Sequence, residues 1–177
     1  MGVLQLPWVH KGGGKVRVTF KDVLNRAYTT LFTDYKLDNL IKMDEQAFYT
    51  FLGGFLCNSI DIFDGALTDL SYHSEVIKDE NGNDNIEYVF DADLSSKEVY
   101  ILCLGVALGW YKKALDDVTQ FKMHLSSKSF KAFSEQANIS KRLERLGAME
   151  EELSEAITAY QLNNFDKLPF FGGAWYV

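Results

Sequence analysis

Apolar residues recur along this chain at two spacings, and the change between them marks its organisation. Val23, Leu24, Ala27, Leu31 and Phe32 return every three or four positions, the repeat of one helix face. Thr19 stands before this stripe as a cap, and Asp22 suits the positive end of the helix dipole. A second helix is predicted over residues 44–61, with Phe48, Phe51, Leu52, Phe55, Leu56 and Ile60 on its buried face. Gly53 and Gly54 interrupt that face. Each costs about 1 kcal/mol relative to alanine, so the pair is expected to mark a close backbone approach or a bend. Between about 67 and 92 the period shortens. Two β-prone segments, 70–77 and 86–90, flank Asp79, Glu80, Asn81, Gly82, Asn83 and Asp84. Asn-Gly tolerates positive φ at both positions, which predicts a β-hairpin at about 70–91 with an exposed acidic tip.

Helical spacing then returns. Ser95, Ser96, Lys97 and Glu98 read as a capping box, Ser95 capping the helix and Glu98 reaching back. The helix that follows is apolar on nearly all sides, from Val99, Ile101, Leu102 and Leu104 through Val106, Leu108, Trp110 and Leu115. Such a helix belongs at the centre of the molecule. Residues 116–133 look like a less regular linker. A last long helix is predicted over residues 134–160, with a single stripe of Ile139, Leu143, Leu146, Met149, Leu153, Ile157 and Tyr160 between charged flanks.

Both ends are apolar without being periodic. Residues 1–18 read as an extended arm carrying Leu4, Leu6, Trp8 and Val9, with Pro7 and the run Gly12, Gly13, Gly14 opposing regular structure. Residues 161–177 carry Phe165, Leu168, Phe170, Phe171, Trp175 and Tyr176 beside Pro169, Gly172 and Gly173. A tail this aromatic is expected to dock rather than to be solvated. The expected architecture is mainly α: a helical bundle over residues 19–160 with one β-hairpin insertion, and extended N- and C-terminal arms. Leu4, Leu6, Trp8, Phe165, Phe170, Phe171, Trp175 and Tyr176 are the candidate partner contacts.

Composition narrows the function. With 47% hydrophobic residues in 177, the chain can build one real core. A net charge of −7 opposes a free-standing nucleic-acid binder, which needs cations to displace counterions from phosphates. It equally opposes docking on an anionic membrane. No run of about 20 apolar residues is present to span one. The N-terminus does not read as a secretory signal, and Leu6 stands where a myristoylation motif needs Ser or Thr. Cys57 and Cys103 sit in apolar runs and are expected as two buried, reduced thiols.

Each chemical motif fails at a named position. Lys11 to Lys15 resembles a phosphate loop, but Val9 and Val16 stand where Gly and Ser or Thr are required. Asp79, Asn81 and Asn83 resemble the start of a calcium loop, but Asp84 and Phe90 replace the required Gly and Glu. His10, His73 and His124 are far apart, without a second ligand at metal spacing. Asp61, Asp64 and Asp69 are better read as a helix end and turn than as an acid/base pair. Tyr72, Tyr88, Tyr100 and Trp110 lack the basic company of a base-stacking platform. The reading is therefore not an enzyme, with no catalytic residue, cofactor or metal.

The segment Phe90-Asp-Ala-Asp-Leu-Ser-Ser-Lys-Glu-Val-Tyr-Ile-Leu-Cys-Leu-Gly-Val-Ala-Leu-Gly-Trp110 is followed by Phe130-Lys-Ala-Phe-Ser-Glu-Gln-Ala-Asn138 and a charged helix ending near Tyr160. In order and spacing these blocks resemble the head–tail connector (adaptor or neck) proteins of tailed bacteriophages. The helix at 44–61 followed by a hairpin is similar too, so the resemblance covers about residues 40–160. It implies a structural virion subunit in a homo-oligomeric ring, commonly of twelve copies, between the portal protein and a downstream neck or tail protein. It also implies assembly in the host cytoplasm and residence at the neck of the particle, without sequence-specific nucleic acid or membrane contact. A stopper or tail-completion protein, or a non-virion helical assembly factor, stands as the alternative.

Overall fold

The computed structural model describes residues 17–31, 44–63, 65–78, 84–125 and 132–165. Within them lie four helices, α1 (Phe20–Leu31), α2 (Glu45–Ile62), α3 (Ser96–Leu125) and α4 (Ala132–Asn163), and two strands, β1 (Tyr72–Lys78) and β2 (Asp84–Phe90). The chain is mainly helical with one two-stranded antiparallel hairpin, as its periodicities predict.

Local chemistry sets the helix starts. Thr19 Oγ1 accepts the Asp22 N–H at 3.1 Å, and Asp22 Oδ2 accepts the Thr19 N–H at 3.0 Å. Asp22 thus takes the role of glutamate in a capping box. Asp44 caps α2 by accepting the Ala47 N–H at 2.8 Å. Ser95 and Glu98 close the predicted box at α3, with Ser95 N–H to Glu98 Oε2 at 2.6 Å and Glu98 N–H to Ser95 Oγ at 3.3 Å.

Helix α3 is the axis of the fold. Every residue from 101 to 108 is buried, and α1, α2 and α4 each pack on it. Val23, Leu24 and Ala27 of α1 and Leu52 and Leu56 of α2 are fully enclosed beside Leu102 and Val106. Enclosing a leucine of this kind stabilises by about 1.5–3 kcal/mol. Phe48, Phe51, Phe55 and Ile60 are partly buried around the same core.

Four expectations need correction. The linker at 116–133 is absent over its first half, because α3 runs on to Leu125. Nothing in residues 116–125 breaks a helix, and a turn added to a formed helix avoids the cost of nucleation. Gly53 and Gly54 mark no close approach, since a Cβ at either meets nothing within 4 Å. The tight seam lies elsewhere, where Gly105 and Gly109 of α3 face Ser59 and Phe55 of α2. A Cβ on Gly105 would stand 2.5 Å from Ser59 Oγ, and one on Gly109 2.9 Å from the Phe55 ring. Small residues four apart let α2 and α3 approach closely along this line. On α4 the stripe seats at Leu146, Met149, Leu153, Ile157 and Tyr160, but Leu143 is 52% exposed. Cys103 is buried as expected, whereas Cys57 is only half-buried.

The hairpin is fastened at its root. Its register pairs Tyr72 with Phe90, Val76 with Ile86 and Lys78 with Asp84, while the connecting residues 79–83, including Asn81-Gly82 and the acidic tip, lie outside the described residues. Phe20, the first residue of α1, places its ring 4.6 Å from Tyr72, 5.5 Å from Tyr88 and 5.1 Å from Phe90. Thr19 bridges Val89 on the outer edge of β2, and the Phe90 N–H donates to the Val18 carbonyl at 3.1 Å.

Candidate interaction surfaces

Because directly paired residues share a sheet face, the register divides the hairpin. One face carries Tyr72, Ser74 and Val76 opposite Phe90, Tyr88 and Ile86. Its root is covered by Phe20, but beyond it Val76 is 67% and Ile86 70% exposed, with Tyr72 and Tyr88 exposed beside them. This contiguous apolar patch was not singled out from sequence. The signal was present in the shared parity of positions 72 and 76 on one strand and 86, 88 and 90 on the other.

The other face pairs His73 with the buried Val89 and Glu75 with Glu87, and its exposed part is polar. His73 hydrogen-bonds Asp91 through Nδ1 and Glu75 through Nε2, the latter at 2.8 Å, and Arg17 pairs with Glu75 at 3.6 Å. The hydrogen bonds to Glu75 and Asp91 raise the His73 pKa above its ordinary value. Hydrogen bonds from Ser71 and His73 lower that of Asp91. All these groups are exposed, so their ion pairs orient the surface more than they stabilise it.

The junction of α3 and α4 is built around a buried carboxylate. Glu98 accepts the Ser95 N–H and, at 2.6 Å, the Tyr160 hydroxyl of α4. That hydroxyl accepts the Leu67 N–H at 3.1 Å, tying in the segment after α2, and the Phe63 ring packs on Tyr160 at 5.2 Å. Burial alone would raise the Glu98 pKa. The hydrogen bonds from Tyr160, Thr68 and Ser95 outweigh it and hold the carboxyl below its ordinary value. Burial and the bond to Glu98 push the Tyr160 phenol up to about 12. The pair is thus a fixed anion and a fixed donor, suited to holding three segments in register rather than to moving protons. No buried side-chain polar atom among the described residues lacks a partner.

Of the predicted contact residues, Phe165 alone is described, just past the end of α4 and 50% exposed. Leu162 is exposed on the last turn of the same helix. Leu4, Leu6, Trp8, Phe170, Phe171, Trp175 and Tyr176 lie outside the described residues, as do Lys11, Lys15, His10 and Asp64. Among the described acidic residues, Asp69 accepts the Ser71 N–H at 3.0 Å and serves a turn. The four aromatics weighed as a stacking platform are divided. Tyr72 and Tyr88 are 6.0 Å apart on the hairpin, Tyr100 donates to Glu152 of α4 at 2.7 Å, and Trp110 is buried. Among the described residues, no three His, Cys, Asp or Glu side chains gather as a metal site, and no helix is long and apolar enough to cross a membrane.

No family model, curated protein or solved structure matches the chain.

Proposed function

We propose that the chain is a structural subunit of a phage head–tail connector, an adaptor ring that joins the portal to downstream neck or tail components around the DNA channel. One observation carries the reading. A helix and a hairpin lead to a capped apolar helix passing Trp110, then to the Phe130–Asn138 block and a long charged helix reaching Tyr160, in the order of the connector family. Its partners are other copies of itself, the portal protein and a downstream neck or tail protein. It acts through surfaces, without catalysis or cofactor.

Two physical features support this. Apolar segments at both ends provide contact area of the kind that head-to-tail rings are built from. A net charge of −7 suits the wall of a DNA conduit, since like charge discourages sticking. Quantitative proteomics of purified particles tests the proposal. A connector is present in fixed proportion to the portal, and absence from particles would reassign the chain as a non-virion assembly factor.

A further inference from the structure

We infer that the outer edge of β1 joins two copies of the chain, pairing antiparallel about Ser74 so that two hairpins form one four-stranded sheet. This goes beyond the connector reading and does not depend on it. Hydrogen bonds at the hairpin root show which groups that edge offers. The Asp91 N–H donates across the hairpin to the Ser71 carbonyl at 3.0 Å, whereas the Phe90 N–H donates outward to the Val18 carbonyl at 3.1 Å. Ladder bonds alternate along an antiparallel pair. With Tyr72 opposite Phe90, the N–H and C=O groups of Tyr72, Ser74 and Val76 therefore point away from β2. Among the described residues the sheet has two strands, and Thr19 bridges its other edge, at Val89. Ser74 and Val76 are exposed, and neither proline nor bulge interrupts β1. Such an edge is a template for another strand.

Charge along β1 selects the occupant and the register. Outward-pointing groups must meet outward-pointing groups, so a two-fold axis falls on a residue and not between two. An axis at Glu75 would set that carboxylate against its own copy, and like charges directly opposite destabilise. An axis at His73 would set two histidines together. An axis at Val76 would put Glu75 opposite Ile77 and His73 beyond the end of the strand. An axis at Ser74 sets His73 of each copy opposite Glu75 of the other. Glu75 and Asp91 of the same chain already favour the cationic form of this histidine, so both cross-strand pairs unite unlike charges. The same axis sets Tyr72 opposite Val76 twice, on the apolar face, with the two Ser74 residues between them. Val76 is 67% exposed and beside it Ile86 is 70% exposed, so each copy supplies apolar surface that the pairing extends. Three or more strands with an apolar face make a stable sheet where a lone hairpin is marginal. A two-fold contact closes on itself, so it is separate from the head-to-tail contacts of a ring.

Disulfide trapping in the full chain reads the register. In a Cys57→Ser background, Ser74→Cys is compared with Val76→Cys, both at exposed positions of the same face. Pairing about Ser74 brings the two Cα atoms of position 74 to about 5.5 Å and holds those of position 76 about 14 Å apart. Only the former is within reach of a disulfide, so mild oxidation is expected to link Ser74→Cys chains as dimers about tenfold faster than Val76→Cys chains. Ser74→Pro supplies the second arm. The N–H at 74 points away from β2, so proline there spares the hairpin and removes a bond of the pairing. In sedimentation of the isolated protein, the wild type and Ser74→Ala are expected to show a concentration-dependent monomer–dimer equilibrium. Ser74→Pro is expected to stay monomeric with unchanged circular dichroism, and the disulfide comparison stands without it should that variant fail to fold. A wild type that is monomeric at every concentration, equal or faster linking through Val76→Cys, or a folded Ser74→Pro variant that still dimerises would each overturn the inference.

Discussion

Replacing Tyr160 with phenylalanine isolates the polar junction on which α3, α4 and the segment after α2 converge. The ring remains, so its packing on Phe63 at 5.2 Å is kept. Only the hydroxyl is lost, with its 2.6 Å bond to Glu98 and its 3.1 Å bond from the Leu67 N–H. A hydrogen bond to a charged partner contributes about 1.5–3 kcal/mol and a neutral one about 0.5–1.5. Glu98 is 1% exposed and has no route to water, whereas Leu67 is half-buried and recovers part of its loss. The expected cost is about 2–4 kcal/mol, or about 4–16 °C in Tm for a domain of this size. The pH dependence gives a second readout. In the wild type the Glu98 pKa is depressed, so its contribution is present above the unfolded glutamate pKa and is lost as pH falls through the lower folded value. Without Tyr160 the burial of Glu98 faces weaker opposition and its pKa rises. The deficit of the variant is therefore largest at pH 7 and narrows as pH falls through the variant's Glu98 pKa toward the lower wild-type value. Urea unfolding at a series of pH values, with the slope compared between variants, measures both effects. A deficit below about 0.5 kcal/mol, the scale of an ordinary surface change, or one independent of pH, would refute the account of this junction.

Two glycine substitutions should move stability in opposite directions. Gly53→Ala, with nothing within 4 Å of the new Cβ, is expected to stabilise by about 0.5–1 kcal/mol in thermal unfolding. Gly105→Ala, with Ser59 Oγ at 2.5 Å, should destabilise by about 1–3 kcal/mol. The His73 pKa, followed by NMR, should lie above 6.5 and fall on Glu75→Gln; any stability linked to it is present below pH 6.5 and lost as pH rises through the folded value. Burial pushes the Cys103 thiol up to about 12, so one of the two thiols should resist a thiol reagent at pH 8 until the chain is unfolded in urea. If the connector proposal holds, deleting residues 165–177 should abolish attachment to the portal or to a neighbouring subunit, read by co-sedimentation, while leaving helical circular dichroism intact.

What the sequence shows well is what short stretches decide for themselves. The caps at Thr19 and Ser95 depend on residues three apart, and the structure forms both. Residues 99–111 are apolar on nearly all sides, which places α3 at the centre. Hairpin pairing followed from period-two segments on either side of a turn. The run of α3 on to Leu125 was a local misreading, since nothing in residues 116–125 stops a helix; the other misreadings depend on packing against distant segments. Gly53 and Gly54 looked costly without a reason visible in sequence, while Gly105 and Gly109 passed as ordinary members of an apolar run. Only the approach of Ser59 and Phe55 separates the two pairs. Glu98 was already explained by its capping box, so nothing pointed to Tyr160, 62 residues away. Leu143 keeps the helical period of its stripe, yet its place on α4 leaves it exposed. Among contact surfaces, the terminal aromatics were conspicuous by composition alone. The hairpin face needed the register, because Val76 and Ile86 become neighbours only when Lys78 pairs with Asp84.

The mass of the purified protein, measured with and without the portal of its particle, tests the connector reading most directly. The reading predicts a discrete complex in which the chain forms a closed ring on the portal, with twelve copies as the family resemblance implies. A mass unchanged by the portal, with the chain left unattached, would contradict it.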